Sequence, residues 1–478
     1  MSIFATKPLS RIARESEAGE HQLKRTLGPV QLVALGIGAI IGAGLFAITP
    51  AAARDFAGPA VVVSFLVAGL GCALAGMCYS EFATMIPIAG SAYTYAYATM
   101  GELLAWIIGW DLVLEYAVGA ATVSVSWSKY LQRLLGHFGT SLPTSITASP
   151  FEGGFINLPA IFIVCVVSII LMIGISESAK VNGFIVALKV TIVVLVIALG
   201  YAYVHPANYV PFIPANTGEA GHFGWTGIMR AAGVIFFAYI GFDAVSTAAQ
   251  EARQPQRDMP IGIIGSLVVC TLLYVLFARV LTGMISYKQM TDTAVYDALN
   301  AVGYGWPSTG VVVGILAGYT SVILVMLLGQ SRVFFSMSRD GLLPKVFADI
   351  HPRFRTPWRS NLLFMVFVSF FAGFLPISKL DEMTSIGTLL AFVIVCAGVM
   401  VMRRTNPDAP RPYRTPLVPV IPVLGILVCI GMMIFLDTMT WVRLVVWLAI
   451  GLVIYFTYSR HHSRLVTDPE SAHEAVRK

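Results

Sequence analysis

The sequence predicts an all-α polytopic membrane protein, and two observations carry this prediction. First, 57% of the 478 residues are hydrophobic and only 12% are charged, whereas a soluble domain has about a quarter charged residues. Second, the chain repeats apolar runs of about 20 residues, the length that a helix needs to cross a bilayer. This composition excludes a soluble enzyme, a disulfide-rich secreted domain and a disordered chain.

Twelve apolar runs of this length follow one another along the chain, and we expect each to form a transmembrane helix. Because the number is even, both ends of the chain are predicted to lie on the same side of the membrane. The limits of the runs are approximately 29–50, 58–84, 101–130, 155–175, 180–204, 226–250, 260–284, 309–337, 360–378, 383–402, 417–437 and 440–460.

The distribution of Lys and Arg predicts which side that is. With the amino terminus inside, twenty-one basic residues fall in cytoplasmic segments and about five in the opposite loops, as the positive-inside rule requires. Orientation and contact with anionic headgroups explain the net charge of +6 without a nucleic-acid partner. We therefore expect a multi-pass protein of the inner (plasma) membrane with both termini in the cytoplasm.

The first run contains an unusual concentration of glycine near its middle. Four glycines lie within nine residues, at Gly36, Gly38, Gly42 and Gly44. Glycine tolerates unusual backbone angles, so this stretch can unwind at low cost. Unwinding creates a new helix end, and the free N–H groups at such an end are good partners for a carboxylate. Close packing of helices through small residues is the alternative interpretation.

The sixth run has a matching irregularity, because Gly241 stands close to Asp243 in its middle. Two interruptions five runs apart suggest an inverted repeat of five helices, with a binding site between the breaks. The predicted organisation is a tail, two repeats, two peripheral helices and a second tail. Their limits are 1–28, 29–204, 226–402, 417–460 and 461–478.

Few charges fall inside the apolar runs. Lys189 lies near the middle of the fifth run, where a lysine must pair, hydrogen-bond to carbonyls or lose its proton. It is a candidate proton-coupling group, with a permanently paired structural charge as the alternative. Asp111 and Glu115 lie four residues apart on the third run and share one helical face. They could relay protons, meet a cationic substrate, or neutralise Lys189 or Arg279.

Five motifs occur in order along the chain, with the letters GAIIGAGLF, GSAY, GWDLVLEY, FAYIGFD and GQSRVFFSMSRDGLLP, at 38–46, 90–93, 109–116, 237–243 and 329–344. Together they resemble amino acid permeases of the amino acid–polyamine–organocation superfamily, most closely its cationic amino acid transporter subfamily in bacterial form. The resemblance runs from about residue 20 to 460. It implies a LeuT-like fold of five plus five inverted helices and two peripheral ones, with helices 1 and 6 broken.

The resemblance also implies how an α-amino acid would bind. Its carboxylate would meet backbone N–H groups of the first break, those of Gly42, Ala43 and Gly44. Its α-amino group would meet carbonyl groups of both breaks, around Ile40, Phe237 and Ile240. Many relatives have Ser or Thr where Ala43 stands, so one side-chain hydroxyl toward the carboxylate is missing here.

Further roles follow from the same resemblance. Phe237 would act as an aromatic lid, and Asp243 would sense charge after the second break. In similar proton-coupled members, a lysine on the fifth helix occupies the place of a sodium ion, and Lys189 matches it. Thr320 and Ser321 resemble the hydroxyl pair that faces this place.

We therefore expect a secondary transporter that moves α-amino acids by alternating access, through proton symport that uses Lys189 with Glu115 or Asp243. Amino acid exchange is the first alternative and polyamine or amine antiport the second. A receptor that binds an amino acid without moving it is the alternative of another class. The expected partners are an amino acid, protons and the lipid bilayer. No cofactor, metal site, catalytic residue or nucleic-acid partner is predicted, and the side-chain class and oligomeric state stay open.

Overall fold

The computed structural model describes residues 5–8, 27–86, 91–174, 179–247, 249, 252–303 and 305–467. Most of the two predicted tails lies outside the described residues, as do the basic residues at positions 11, 14, 24, 25, 477 and 478. Within the described ranges the fold is helical, and extended pairing is limited to isolated bridges. The all-α prediction is confirmed.

Every predicted apolar run contains a helix. In chain order the main helices are α1 Pro29–Ile40, α2 Val61–Met85, α3 Glu102–His137, α4 Leu158–Ile173, α5 Ala179–Tyr201, α6 Gly224–Ile235, α7 Pro255–Met284, α8 Gly305–Arg339, α9 Trp358–Phe374, α10 Ile377–Thr405, α11 Val420–Ile434 and α12 Thr438–Ile454. Seven helical stretches of the described chain are long and apolar enough to cross a membrane, and α1, α4, α9 and α11 are shorter apolar helices. The chain is thus an integral membrane protein, while the count of twelve crossings stays a prediction.

The surface of the helices supports this assignment. Large apolar side chains are exposed along α11 and α12, for example Leu427, Val445 and Val453. A water-facing helix would show charged residues there, whereas lipid favours an apolar surface. Five of the six cysteines are buried, and Cys165 is half-buried, as expected of small apolar residues.

The helices pack closely where glycine removes the side chain. A Cβ atom on Gly36 would lie 2.5 Å from Ser266 Oγ, and one on Gly262 would lie 2.8 Å from Leu32 Cβ. These two glycines bring α1 and α7 into close contact at two successive helical turns. The packing interpretation therefore holds for Gly36, the first of the four glycines in the first run.

Buried ion pairs tie the helix ends together. Glu81, near the end of α2, is 1% exposed and accepts hydrogen bonds from Arg403 of α10 at 2.8 and 3.2 Å. Arg411 approaches the same carboxylate at 3.4 Å. Because a buried carboxylate requires such partners, this contact fixes α2 against α10. Arg54 lies in a helical segment, Ala53–Ala57, that follows the first run.

Candidate functional site

The first run is interrupted at its predicted place. Helix α1 ends at Ile40, and Ile41 has an extended backbone with ψ at 107°. The helical path resumes as a π-helix over Gly44–Ile48. The N–H groups of Gly42, Ala43 and Gly44 therefore stand at the start of a new helical segment, where an anion is favoured.

The sixth run is interrupted as well. After α6 the chain forms a 3₁₀ turn over Phe236–Tyr239, and Ile240 is extended with ψ at 135°. Gly241 has φ at +113°, a conformation that residues with a Cβ atom rarely adopt. Helix resumes at Ala244–Thr247, so Asp243 directly precedes this second helical segment.

The two interruptions contact each other through backbone atoms. A Cβ atom on Gly44 would lie 2.2 Å from the Cα atom of Ala238, and one on Gly241 would lie 3.0 Å from the carbonyl of Ala39. No side chain fits between these backbones. The structure thus brings together the predicted binding residues of the first break and those of the second, namely Ile40, Gly42, Ala43, Gly44, Phe237 and Ile240, all of them buried.

Tyr274 of α7 joins the two breaks and was missed by the sequence analysis. Its buried hydroxyl lies 3.0 Å from the carbonyl oxygen of Ile40 and 2.9 Å from that of Ala238. The hydroxyl has one proton, so it donates to one carbonyl at a time. A tyrosine inside an apolar run resembles an ordinary interior aromatic residue, and only the fold reveals these partners.

Replacing Tyr274 with phenylalanine is expected to weaken amino acid binding about tenfold. Two buried carbonyl groups lose the donor that they share, and leaving a buried polar group without a hydrogen bond costs about 1–3 kcal/mol. Isothermal titration of the purified protein measures this loss. Tyr319→Phe is the matched control, because the Tyr319 hydroxyl has no hydrogen-bond partner within the described chain. Equal affinities of the two variants would contradict a role for Tyr274 in holding the breaks.

Lys189 lies between three helices. It is 2% exposed, and its Nζ atom donates to the carbonyl oxygen of Gly38 of α1 at 2.7 Å. Its alkyl chain passes Gly318 of α8, where a Cβ atom would lie 3.2 Å from Lys189 Cε. Thr320 and Ser321 donate to carbonyl oxygens of α8, those of Leu316 and Gly318. The lysine thus connects α5 with α1 next to the first break.

Three carboxyl groups near the breaks are buried, those of Asp111, Glu115 and Asp243. The α3 helix widens to a π-helix over Leu114–Val118, which contains Glu115, and Glu115 lies close enough to Asp111 to interact with it electrostatically. The carboxyl oxygens of Asp111 have no hydrogen-bond partner within the described chain. Glu115 lies close enough to Asp243 to interact with it electrostatically, and the Tyr116 hydroxyl donates to Asp243.

The structure also decides one of the alternatives for the acidic residues. The side chain of Arg279 is exposed, and its backbone carbonyl accepts a hydrogen bond from the Tyr209 hydroxyl at 2.6 Å. Asp111 and Glu115 are buried. Neutralisation of Arg279 by these two residues is therefore excluded, whereas the proton-relay and cationic-substrate interpretations remain.

Comparison with known proteins agrees with this geometry. Residues 27–456 match the amino acid permease family. The chain is 45% identical to the branched-chain amino acid permease BcaP of Bacillus subtilis and 43% identical to the methylthioribose transporter of the same organism, over 97% of this chain and 99% of each relative. It is 36% identical to the vacuolar cationic amino acid transporter 4 of Arabidopsis thaliana, over 85% of this chain and 68% of the relative.

A family match over most of the length, two interrupted helices in contact and a lipid-facing surface all point to one kind of protein. The resemblance found in the motifs is confirmed, and it places the chain among transporters rather than enzymes. The chain is a membrane transporter of the amino acid permease family.

Proposed function

We propose that this transporter is a proton-coupled symporter of α-amino acids in the inner membrane, with both termini in the cytoplasm. In this proposal the chain crosses the membrane twelve times, and residues 29–204 and 226–402 form two inverted repeats. Helices α11 and α12, within 417–460, lie beside them. The end of the bundle that contains Arg54 is then extracytoplasmic, and the end that contains Arg403 faces the cytoplasm.

The contact between the two breaks carries the proposal. The helix start at Gly42–Gly44 offers N–H groups to a carboxylate, and the carbonyl ends at Ile40 and Ile240 offer acceptors to an ammonium group. Both sets lie at one crossing point, because Gly44 touches Ala238. A zwitterionic α-amino acid presents both charges, whereas an amine without a carboxylate would leave the N–H groups unused.

Lys189 is proposed to couple this site to protons. Its ammonium group holds the carbonyl of Gly38 at 2.7 Å, two residues before the end of α1. A buried lysine that releases its proton loses one donor and its charge, so its hold on α1 weakens. Movement of the first break relative to α5 and α8 would then follow protonation of Lys189.

The pair formed by Glu115 and Asp243 is proposed to exchange the proton with Lys189 or with solvent. Two neighbouring buried carboxyl groups are unfavourable when both are ionised, so such a pair readily takes up a proton. Tyr116 fixes Asp243 by donating to it. Amino acid exchange without protons is the alternative, and in that case Lys189 is a structural charge.

Glu115→Gln is expected to flatten the dependence of uptake rate on external pH between about 5 and 8, because the proton-binding carboxyl is lost while its shape is kept. Initial uptake rates in proteoliposomes at several pH values measure this effect. Glu219→Gln, the same substitution at an exposed position between α5 and α6, is the matched control. An unchanged pH profile for Glu115→Gln would contradict its part in coupling.

Two observations bear on the side chain of the substrate. A Cβ atom on Gly42 would lie 3.1 Å from Val322, so α8 presents an apolar group toward the first break. This favours neutral, apolar amino acids, in agreement with the name of the branched-chain relative. Cationic amino acids are the second candidate, because the buried carboxyl oxygens of Asp111 have no hydrogen-bond partner within the described chain.

A further inference from the structure

The segment 285–303 between α7 and α8 lies over the outer side of the first break. Its short helix, Ala294–Ala301, buries Ala294, Val295, Ala298 and Leu299. This buried face contacts the π-helix Gly44–Ile48 that starts the outer half of the first run. An amino acid that approaches the breaks from outside in the proposed orientation must pass this segment.

Ion pairs fasten the segment to two separate parts of the bundle. Asp292 accepts Lys129 of α3 at 2.7 Å and Arg54 of the first run at 3.3 Å. One turn further along α3, Arg133 donates to Thr293 at 2.8 Å and approaches Asp297 at 3.5 Å. Asp292 therefore bridges the first run and α3, which flank the outer entrance to the breaks.

A cavity of about 450 Å³ opens beside these ion pairs. This volume lies within the usual range of small-molecule sites, roughly 300–1,000 Å³. Its lining combines two cations and one carboxylate with neutral hydroxyl groups, contributed by Lys129, Arg133, Asp292, Thr291, Thr293 and Ser141. Such a lining has a positive and a negative pole, which suits a ligand that has both charges.

The ion pair at the cavity can be exchanged for contacts with a ligand. The side chains of Lys129 and Asp292 are 21% and 26% exposed, and ion pairs that water can reach stabilise a fold only weakly. Lys129 also pairs with Glu152 at 3.0 Å, and Asp292 also pairs with Arg54 at 3.3 Å, so both charges keep a partner when a zwitterion replaces the Lys129–Asp292 pair. Release of the segment from α3 also requires the contacts of Arg133 with Thr293 and Asp297 to be exchanged.

The charge of Asp292 is suited to this role at physiological pH. Burial alone would raise the pKa of this carboxyl, but Lys129 and then Arg54 outweigh burial and hold the pKa below its usual value. A lowered pKa in the folded state means that the carboxylate is ionised above that value and loses its charge only in stronger acid. Binding through Asp292 is thus expected to be insensitive to pH between about 5 and 8.

We propose that this cavity is an outer receiving site for zwitterionic α-amino acids, with the carboxylate on Lys129 and Arg133 and the ammonium group on Asp292. Occupancy replaces the Lys129–Asp292 pair and draws Arg133 away from Thr293 and Asp297, which weakens the attachment of the segment 285–303 to α3. The inference rests on the proposed function and orientation, since only an amino acid arriving from outside would meet this site first.

The test compares influx and efflux of radiolabelled L-leucine, and of L-arginine, in right-side-out membrane vesicles. Lys129→Gln is expected to raise the KM for influx about tenfold, because one charge-assisted contact to the carboxylate is lost at a partly exposed site. The maximal rate of influx and the KM for efflux are expected to stay within about twofold of wild type. The maximal rate of efflux then falls in proportion to the rise in the influx KM, because a substitution cannot change the equilibrium between the two sides. Arg133→Gln should also raise the KM for influx. This second variant keeps the test valid if Lys129→Gln does not fold.

Two controls accompany these variants. Lys129→Arg keeps the charge and is expected to restore the influx KM to within about threefold of wild type. Lys288→Gln removes an exposed lysine of the same segment and is expected to leave both KM values unchanged.

Three outcomes would overturn the receiving site. A fall in the influx KM of Lys129→Gln would mean that Lys129 only holds the segment 285–303 against α3 and does not bind the amino acid. An equal rise of the influx and efflux KM would place its effect at the central breaks. If the wild-type protein moves neither leucine nor arginine, the proposed function itself is refuted. This outcome is distinct from failure of the receiving site, because the wild-type protein alone reveals it.

Discussion

Replacing Lys189 with methionine is expected to reduce the accumulation ratio of the transported amino acid to about one, while equilibrating exchange continues. Methionine keeps the apolar length of the side chain but removes the ammonium group that donates to Gly38. Without a group whose protonation differs between the two states, the proton gradient has no differential interaction with the transporter and cannot drive accumulation. Loss of this one donor therefore separates coupling from movement.

The measurement is the ratio of internal to external radiolabelled amino acid in proteoliposomes at steady state, with an inward proton gradient. Lys345→Met is the matched control, because Lys345 is exposed and lies outside the main helices. Gradient-driven accumulation by Lys189→Met at the wild-type level, with unchanged pH dependence, would refute the coupling role of Lys189.

Replacing Gly44 with alanine is expected to abolish binding, with a loss of at least about 100-fold, since displacement of a site by about 1 Å has effects of this size. The added Cβ atom would lie 2.2 Å from Ala238 Cα and 2.5 Å from Ala238 Cβ. Both neighbours are fixed by the backbone or stand directly on it, so the two breaks must separate. Binding of the amino acid to purified protein by calorimetry, with thermal unfolding measured in parallel, shows the effect.

Substitutions at two further glycines provide comparisons for Gly44→Ala. Gly42→Ala meets only the side chain of Val322 at 3.1 Å, so a loss smaller than that of Gly44→Ala is expected, and Gly42→Val should abolish binding by crowding the same space. Gly136 of α3 has no atom within 4 Å of the added Cβ, so Gly136→Ala should leave binding unchanged. Wild-type affinity in Gly44→Ala or Gly42→Val would refute the proposed binding region.

The helices and their interruptions could be predicted because they depend on local sequence. Apolar runs of about 20 residues require helices in lipid, and the glycines at Gly42, Gly44 and Gly241 lower the cost of leaving the helical path. The depth of Lys189 in its run also predicts its burial, although the hydrogen bond to Gly38 emerges only from the packing of α5 on α1.

Features that depend on contacts between distant segments could not be predicted. Tyr274 meets two carbonyls from α1 and the second break only because α7 packs against both. The π-helix Leu114–Val118 contains Glu115, and a regular periodicity gives no indication of such an insertion. The bridging role of Asp292 likewise requires three segments far apart in sequence to meet.

Uptake of a panel of radiolabelled amino acids into proteoliposomes, with and without an inward proton gradient, tests the central claim most directly. We predict accumulation above the external concentration for one class of side chain, neutral or cationic, only when the gradient is present. Uptake that occurs only in vesicles preloaded with an amino acid, and that is the same with and without the proton gradient, would contradict proton symport. It would establish an exchanger in which Lys189 is a structural charge.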